Sequence, residues 1–299
     1  MEHTPSGRPT GLASYVTEWH PAPVTATDPL SAAPAAALGA LLDRQDTAPG
    51  PGEPLPPLWH WPYFLDWPEQ RRLGADGHPA EGPFLPPVPD RRRMIAGGRA
   101  EFTAPLLLGA AAHRASRVVG AEVKHGRTGE MLFVTVRHEI SQEGTVRVVE
   151  EQDVVYRSGD DARRRTRSAL DTADAPPVRA PWKLLLRPTP SLLFRFSALT
   201  ANAHRIHYDT PYCKDVEGYP GLVVHGPLLV LLMLELVREN AQGRTVRALS
   251  YRLRAPLFAG EQLVAAGEEG TGEEGAGGAE LWVASRREER HASARVTFA

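Results

Sequence analysis

Cysteine is almost absent: Cys213 is the one thiol in 299 residues. That excludes an internal disulfide and any metal site built on paired cysteines, and it suits a reducing compartment. Long apolar runs are missing as well. The most hydrophobic stretch, residues 228–234, falls far short of the roughly 18 residues that a membrane span needs, so no membrane partner is expected. Charge of one sign is equally scarce, with 34 basic residues against 36 acidic ones and a net charge of -2. Short arginine runs at 91–93 and 163–165 are too little for a nucleic-acid surface, and the phosphates of a small ligand are a better use for them. The first twenty residues lack the basic start and apolar core of a signal peptide. A cytoplasmic protein is the expectation.

What is present is a chain with 42% hydrophobic residues, enough for one large or two medium domains. Residues 1–30 read as a poorly constrained leader with at most a short helix near 12–18. Residues 31–42 predict an amphipathic helix, capped by Ser31, with Ala37, Leu38, Leu41 and Leu42 on one face. The prolines and aromatics of 54–65 form a wall segment, and the Gly- and Pro-rich stretch 73–89 an extended loop that covers part of a pocket. From residue 93 the period becomes that of strands. Segments 99–102, 117–124, 131–140 and 147–156 predict a four-stranded antiparallel meander. Beyond a charged, proline-ended linker comes a short strand at 183–186, a turn at 190–194, and strands at 245–254, 262–267, 281–286 and 292–298. A flexible Gly-Glu insertion occupies 267–278.

The second half resembles the first letter by letter at one place. Ala104-Pro105-Leu106 with Gly109 recurs as Ala255-Pro256-Leu257 with Gly260, each residue 151 positions on. The motif follows a strand and precedes further strands in both copies, so the chain reads as a duplication. The expected organisation is a degenerate first half with its leader over 1–160, a linker over 161–180 and a catalytic half over 181–299.

Only the second copy carries a polar cluster. Asn202, His204, Arg205, His207, Tyr208 and Asp209 fall within eight residues, and Val224, His225 and Gly226 lead into a helix with Pro227 in its first turn. From Leu228 to Leu236 nearly every residue is apolar, so this helix must be wrapped on all sides. A buried helix wrapped by a curved antiparallel sheet, twice over in one chain, is an α+β fold of the double-hotdog kind. No metal is expected, because His204 and His207 lack a carboxylate or cysteine at ligand spacing.

The run Asn202-Ala203-His204-Arg205-Ile206-His207-Tyr208-Asp209, with Pro220-Gly221-Leu222-Val223-Val224-His225-Gly226-Pro227, resembles the MaoC-like R-specific enoyl-thioester hydratases and dehydratases. Further likeness at Leu85-Pro86-Pro87-Val88-Pro89, Gly97-Gly98-Arg99, Val134 to Ile140 and Glu150-Glu151-Gln152-Asp153 points to the two-hotdog branch of that family. Mesaconyl-C4-CoA hydratases, itaconyl-CoA hydratases and mitochondrial-type 3-hydroxyacyl-ACP dehydratases form this branch. The resemblance implies addition or removal of water at the double bond of an enoyl thioester. The substrate arrives as an acyl-CoA or on an acyl carrier protein, and no cofactor is used.

In that reading the Gly226 N–H, at a helix N-terminus, meets the charge that builds on the thioester oxygen. His207 is the general acid/base. His204, Arg205, Tyr208, Val224 and His225 line or support the substrate site. The family has an aspartate where this chain has Asn202, an asparagine at His204 and a proline at Arg205. Asn202 can hold a water but cannot take its proton. That departure leaves two rivals open: the same pocket used to add an amine or to hydrolyse the thioester, and a catalytically silent thioester-binding subunit. A monomer and a homodimer of such chains are both allowed.

Overall fold

The computed structural model describes residues 11–44, 49–126, 129–158, 169–271 and 276–299. Ten strands form one sheet. The first half supplies β1 (Val24–Asp28), β2 (Arg92–Phe102), β3 (Ala112–Gly126), β4 (Gly129–Gln142) and β5 (Thr145–Arg157). The second supplies β6 (Trp182–Leu186), β7 (Val246–Leu253), β8 (Leu263–Thr271), β9 (Gly277–Ser285) and β10 (Ala292–Phe298). Their order is β1-β3-β4-β5-β2-β7-β10-β9-β8-β6, so each half reads identically from its outer edge to the seam. That seam is the antiparallel pairing of β2 with β7, from Gly97↔Arg252 to Glu101↔Ala248.

β3, β4 and β5 run as the expected meander, but β2 joins it beside β5 rather than β3. The reason is the duplication: β2 needs its other edge free for β7. β1, inside the segment read as a leader, pairs along β3 from Val24↔Ser116 to Asp28↔Ala112. Its residues VTATD are short and mostly exposed, so no apolar alternation marks it. Of the expected linker, residues 161–168 lie outside the described residues, and 169–180 carry neither helix nor strand. In the Gly-Glu segment the strands themselves continue, pairing out to Thr271↔Gly277.

Among the described residues there are three α-helices: α1 (Ala32–Leu41), α2 (Pro190–Leu199) and α3 (Gly226–Asn240). α2 replaces the turn expected at 190–194. It starts because Thr189 Oγ1 accepts the Leu192 N–H at 3.2 Å and Pro190 has no N–H to lose. Ser31 makes no side-chain cap for α1. The Tyr63 hydroxyl takes that role, accepting from Ala35 N at 3.2 Å and donating to Ser31 O at 2.6 Å. α3 lies against β6, β8, β9 and β10, and all ten residues from Leu228 to Val237 are buried.

The literal repeat is also a repeat of hydrogen bonds. Thr103 N donates to Arg147 O at 3.0 Å, and Arg254 N to His291 O at 2.8 Å. Leu55 N donates to Leu106 O at 2.7 Å, and Val224 N to Leu257 O at 2.8 Å. Gly109 and Gly260 both have positive φ, 78° and 90°. Leu55 therefore holds the place of Val224, and Pro56-Pro57 the place of His225-Gly226. Neither proline has an N–H, and Pro62 would break a helix started there. Among the described residues the first half has no counterpart of α3. Leu58, Trp59 and Tyr63 fill that space as buried side chains.

Candidate active site

His207 ends a short helical turn (Arg205–His207) and is buried. Its Nδ1 lies 2.7 Å from Val223 O. A carbonyl can only accept, so Nδ1 carries the proton and Nε2 keeps the lone pair. The ring stacks on His225, with centroids 3.6 Å apart and planes at 19°. His225 is the N-cap residue of α3, and its Nε2 is 2.9 Å from Ser197 Oγ on α2. Burial pushes His207 down to about 4 and His225 well below its ordinary value, so both rings are neutral at physiological pH.

Gly226 opens α3 directly after His225. The first N–H groups of a helix have no intrahelical acceptor and carry the positive end of its dipole. Glycine at 226 has no Cβ to fill the space beside its Cα. In the structure that space holds Leu253 of β7, with which a Cβ on Gly226 would collide.

Asn202 makes a local turn. Its Oδ1 accepts the His204 N–H at 3.0 Å, and its own N–H donates to Ser197 O at 2.8 Å. One lone pair of the Asn202 carbonyl is thereby committed to the backbone. His204 stands edge-on to His207, centroids 5.6 Å apart. Val224 is buried and holds the Leu257 carbonyl.

Arg205 and Tyr208 are not brought into this row of rings. The Arg205 guanidinium donates to Asp209 Oδ2 at 2.7 and 3.0 Å and to Ala75 O at 3.0 Å. The Tyr208 ring is exposed and its hydroxyl donates to Ala203 O at 2.9 Å. Both therefore secure the loops around the site.

The structure adds residues that the sequence did not mark. A turn from the 73–89 loop, closed by Gly74 N donating to His78 O at 2.7 Å, carries Asp76 and His78 to the His204 ring. His78 and His204 have centroids 4.0 Å apart. Asp76 Oδ2 is 2.9 Å from His78 Nδ1, and Asp76 Oδ1 accepts the His78 N–H at 2.9 Å. Burial opposes ionisation of Asp76, but the hydrogen bonds and nearby charge of His78 overcome it and hold the carboxyl well below the usual range. His78 and His204 are pushed down, chiefly by burial. Arg93 on β2, opposite Tyr156, adds a guanidinium whose charge acts on Asp76, His78 and His204. One ligand atom from each of Asp76, His78 and His204 lies within 4.8 Å of the others, so these residues are also grouped as metal ligands would be.

A two-half sheet with a buried helix, an anion-favouring helix start and a neutral imidazole stacked on the helix's N-cap residue fits an acyl-thioester hydro-lyase of the double-hotdog class. Residues 58–259 match the profile of hydroxyacyl-thioester dehydratase type 2, and the chain belongs to that family. It is 46% identical over 231 residues to the mesaconyl-C(4)-CoA hydratase of Chloroflexus aurantiacus, covering 77% of this chain and 81% of the relative. A shorter match, 42% over 78 residues, covers 25% of this chain and 26% of the mitochondrial hydroxyacyl-thioester dehydratase type 2 of Schizosaccharomyces pombe. In fold it is similar to the MaoC-like dehydratase of Phytophthora capsici, with a TM-score of 0.63 at 11% identity over 97% of this chain and 98% of the other. HtdX of Mycobacterium tuberculosis superposes at a TM-score of 0.57 with 20% identity, over 92% and 99% of the two chains. The enzyme adds or removes water at the double bond of an enoyl thioester. Among the described residues, no helix is long and apolar enough to cross a membrane.

Proposed function

We propose that the reaction is run by His207 and the start of α3, on a CoA thioester of an unsaturated dicarboxylic acid. The observation that carries the assignment is the 2.7 Å contact of His207 Nδ1 with Val223 O, which presents Nε2 as a base beside the helix N-terminus. In hydration, Nε2 takes a proton from water as the oxygen bonds to the β carbon. The π electrons move onto the thioester carbonyl, where the Gly226 N–H stabilises the oxyanion. The same proton then passes from His207 to the α carbon. Dehydration is the reverse. No cofactor or metal enters this sequence.

The choice of a dicarboxylic acyl group and of CoA, rather than a carrier protein, is supported by the 46% identity to the mesaconyl-C(4)-CoA hydratase. Arg93 supplies a guanidinium near the histidines for the free carboxylate. His204, Val224 and His225 shape the pocket, while Arg205 and Tyr208 hold its loops. The first half, with Pro56-Pro57 in place of His225-Gly226, serves as a scaffold without a turnover site, and residues 181–299 as the catalytic half. Two halves in one chain complete the sheet without a homodimer. The buried thiol of Cys213, in no disulfide, is in keeping with the cytoplasm.

The rival reading with another nucleophile rested on Asn202, and the Asx turn gives Asn202 a backbone role that needs no new chemistry. The test is mass spectrometry with mesaconyl-C4-CoA and crotonyl-CoA. Gain of one water by the wild type, absent in His207→Ala, supports the assignment; release of free acid, or addition only of a supplied amine, overturns it.

A further inference from the structure

The site has one group ready to move a proton, and the residue at the family's aspartate position is an amide that cannot take one. Asn202 spends its carbonyl on the His204 N–H at 3.0 Å. Another pair, Asp76 and His78, stands against the His204 ring. Asp76 Oδ1 accepts the His78 backbone N–H and Oδ2 lies 2.9 Å from Nδ1, so the proton on His78 lies on Nδ1. His78 Nε2 is thereby left as a lone-pair acceptor, and no hydrogen bond engages it among the described residues.

The pair is built in rather than incidental. Arg205 N donates to Asp76 O at 2.9 Å and Arg205 Nη1 to Ala75 O at 3.0 Å, tying the loop of the first half to the site segment of the second. Gly77, with φ of 87°, presses so closely on Ala203 O that a Cβ there would collide with it. The His78 ring lies over His204 at 4.0 Å, and His204 meets His207 at 5.6 Å, so the three imidazoles form one cluster. The His78 side chain is 15% exposed and that of Asp76 31%.

We propose that His78, held in one tautomer by Asp76, is the residue that holds the reacting water beside His207, the task left open by Asn202. The proposal rests on the reading of His207 given above. The water donates one hydrogen to His207 Nε2, which takes it as the oxygen bonds to the β carbon and returns it to the α carbon. Its other hydrogen stays on the new hydroxyl throughout and donates to His78 Nε2. His78 is catalytic in that it touches the reacting oxygen; Asp76 acts through it as a positioning residue.

The test uses the full chain with crotonyl-CoA. Asp76→Asn keeps an oxygen for the His78 N–H but turns the amide toward Nδ1, which forces the proton onto Nε2 and removes the acceptor. We expect kcat to fall by about 100-fold or more with KM within about 3-fold of wild type and an unchanged melting temperature. His78→Ala should lose a similar factor and regain part of it when free imidazole is added. Where Asp76→Asn fails to fold, the imidazole rescue decides alone. Full kcat in Asp76→Asn, or an inactive His78→Ala that imidazole leaves inactive, overturns the water-holding role while a dead His207→Ala leaves the function standing. Activity in His207→Ala sinks the underlying reading instead. Loss of wild-type activity to a chelator, with return on adding zinc, overturns the proposal too, because Asp76, His78 and His204 then serve a metal.

Discussion

His207 and His225 lie face to face, ring centroids 3.6 Å apart, one fixed by a backbone carbonyl and the other by the Ser197 hydroxyl. Neither can take a lasting charge in so dry a place without repelling the other. The pair thus makes the centre of the molecule a store of neutral imidazole.

That store makes the fold sensitive to acid. His207 and His138 are each lowered to about 4, and His78, His204 and His225 are lowered as well, in every case first by burial. An unfolded histidine titrates near 6.5, so between about 6.5 and 4 the unfolded chain binds more protons than the folded one. The stabilising contribution is complete above about pH 6.5 and shrinks as the pH falls, by about 1 kcal/mol per pH unit for each such group. Melting temperatures at pH 7.5, 6 and 5 should fall steadily, and a flat series would refute the assignment of neutral rings.

Replacing His207 by Gln removes the proton carrier while roughly keeping its volume. Steady-state kinetics should show kcat reduced by about 10²–10⁴-fold with a smaller change in KM. A change confined to KM would mean that His207 only binds.

Asn202→Asp restores the residue that the wider family carries. Asp can accept the His204 N–H as Asn does, so the turn survives and the melting temperature should hold within a few degrees. Water remains the nucleophile, and product mass checks that. Asn202→Ala removes the turn, and kcat should drop because His204 loses its position.

Leu231 is 1% exposed in the middle of α3. Leu231→Ala leaves a cavity on a helix buried on every side, at a cost of about 2–5 kcal/mol. Denaturant titration should show that loss in midpoint with an unchanged slope.

In the first half, Glu150 is 2% exposed and meets His60 Nε2 at 2.7 Å, Trp61 Nε1 at 2.9 Å and Gln152 Nε2 at 2.7 Å. These bonds with His60, together with the charge of His138, outweigh burial and hold Glu150 at about 2. Glu150→Ala strips that carboxylate from its partners and should cost about 3–5 kcal/mol. Folded protein, isolated at low temperature, should keep its kcat, because this network belongs to the scaffold.

Much of this was legible in the sequence where neighbours in space are neighbours in the chain. His207 and the His225-Gly226-Pro227 helix start could be read because a polar cluster runs into an apolar helix within a few turns. The duplication was legible because two identical turns demand identical letters. β1 escaped notice because an edge strand of Val, Thr and Ala need not alternate, and α2 because Pro190 reads equally as a turn or as a first helical residue. Asp76 and His78 were invisible for a different reason. Their chemistry arises only when a glycine-bearing loop is laid across Ala203, and nothing in a Gly-Pro-rich segment says which surface it will touch.

The substitution of Pro56-Pro57 for His225-Gly226 fixes a stoichiometry. A protein with two superposable halves would be expected to titrate two equivalents of a thioester analogue, with the second equivalent able to feel the first. Here the fold is symmetric, but only the second half carries the His225-Gly226 helix start. Binding should saturate at one ligand per chain with a single class of sites, and any sigmoidal dependence on substrate would have to come from contact between separate chains.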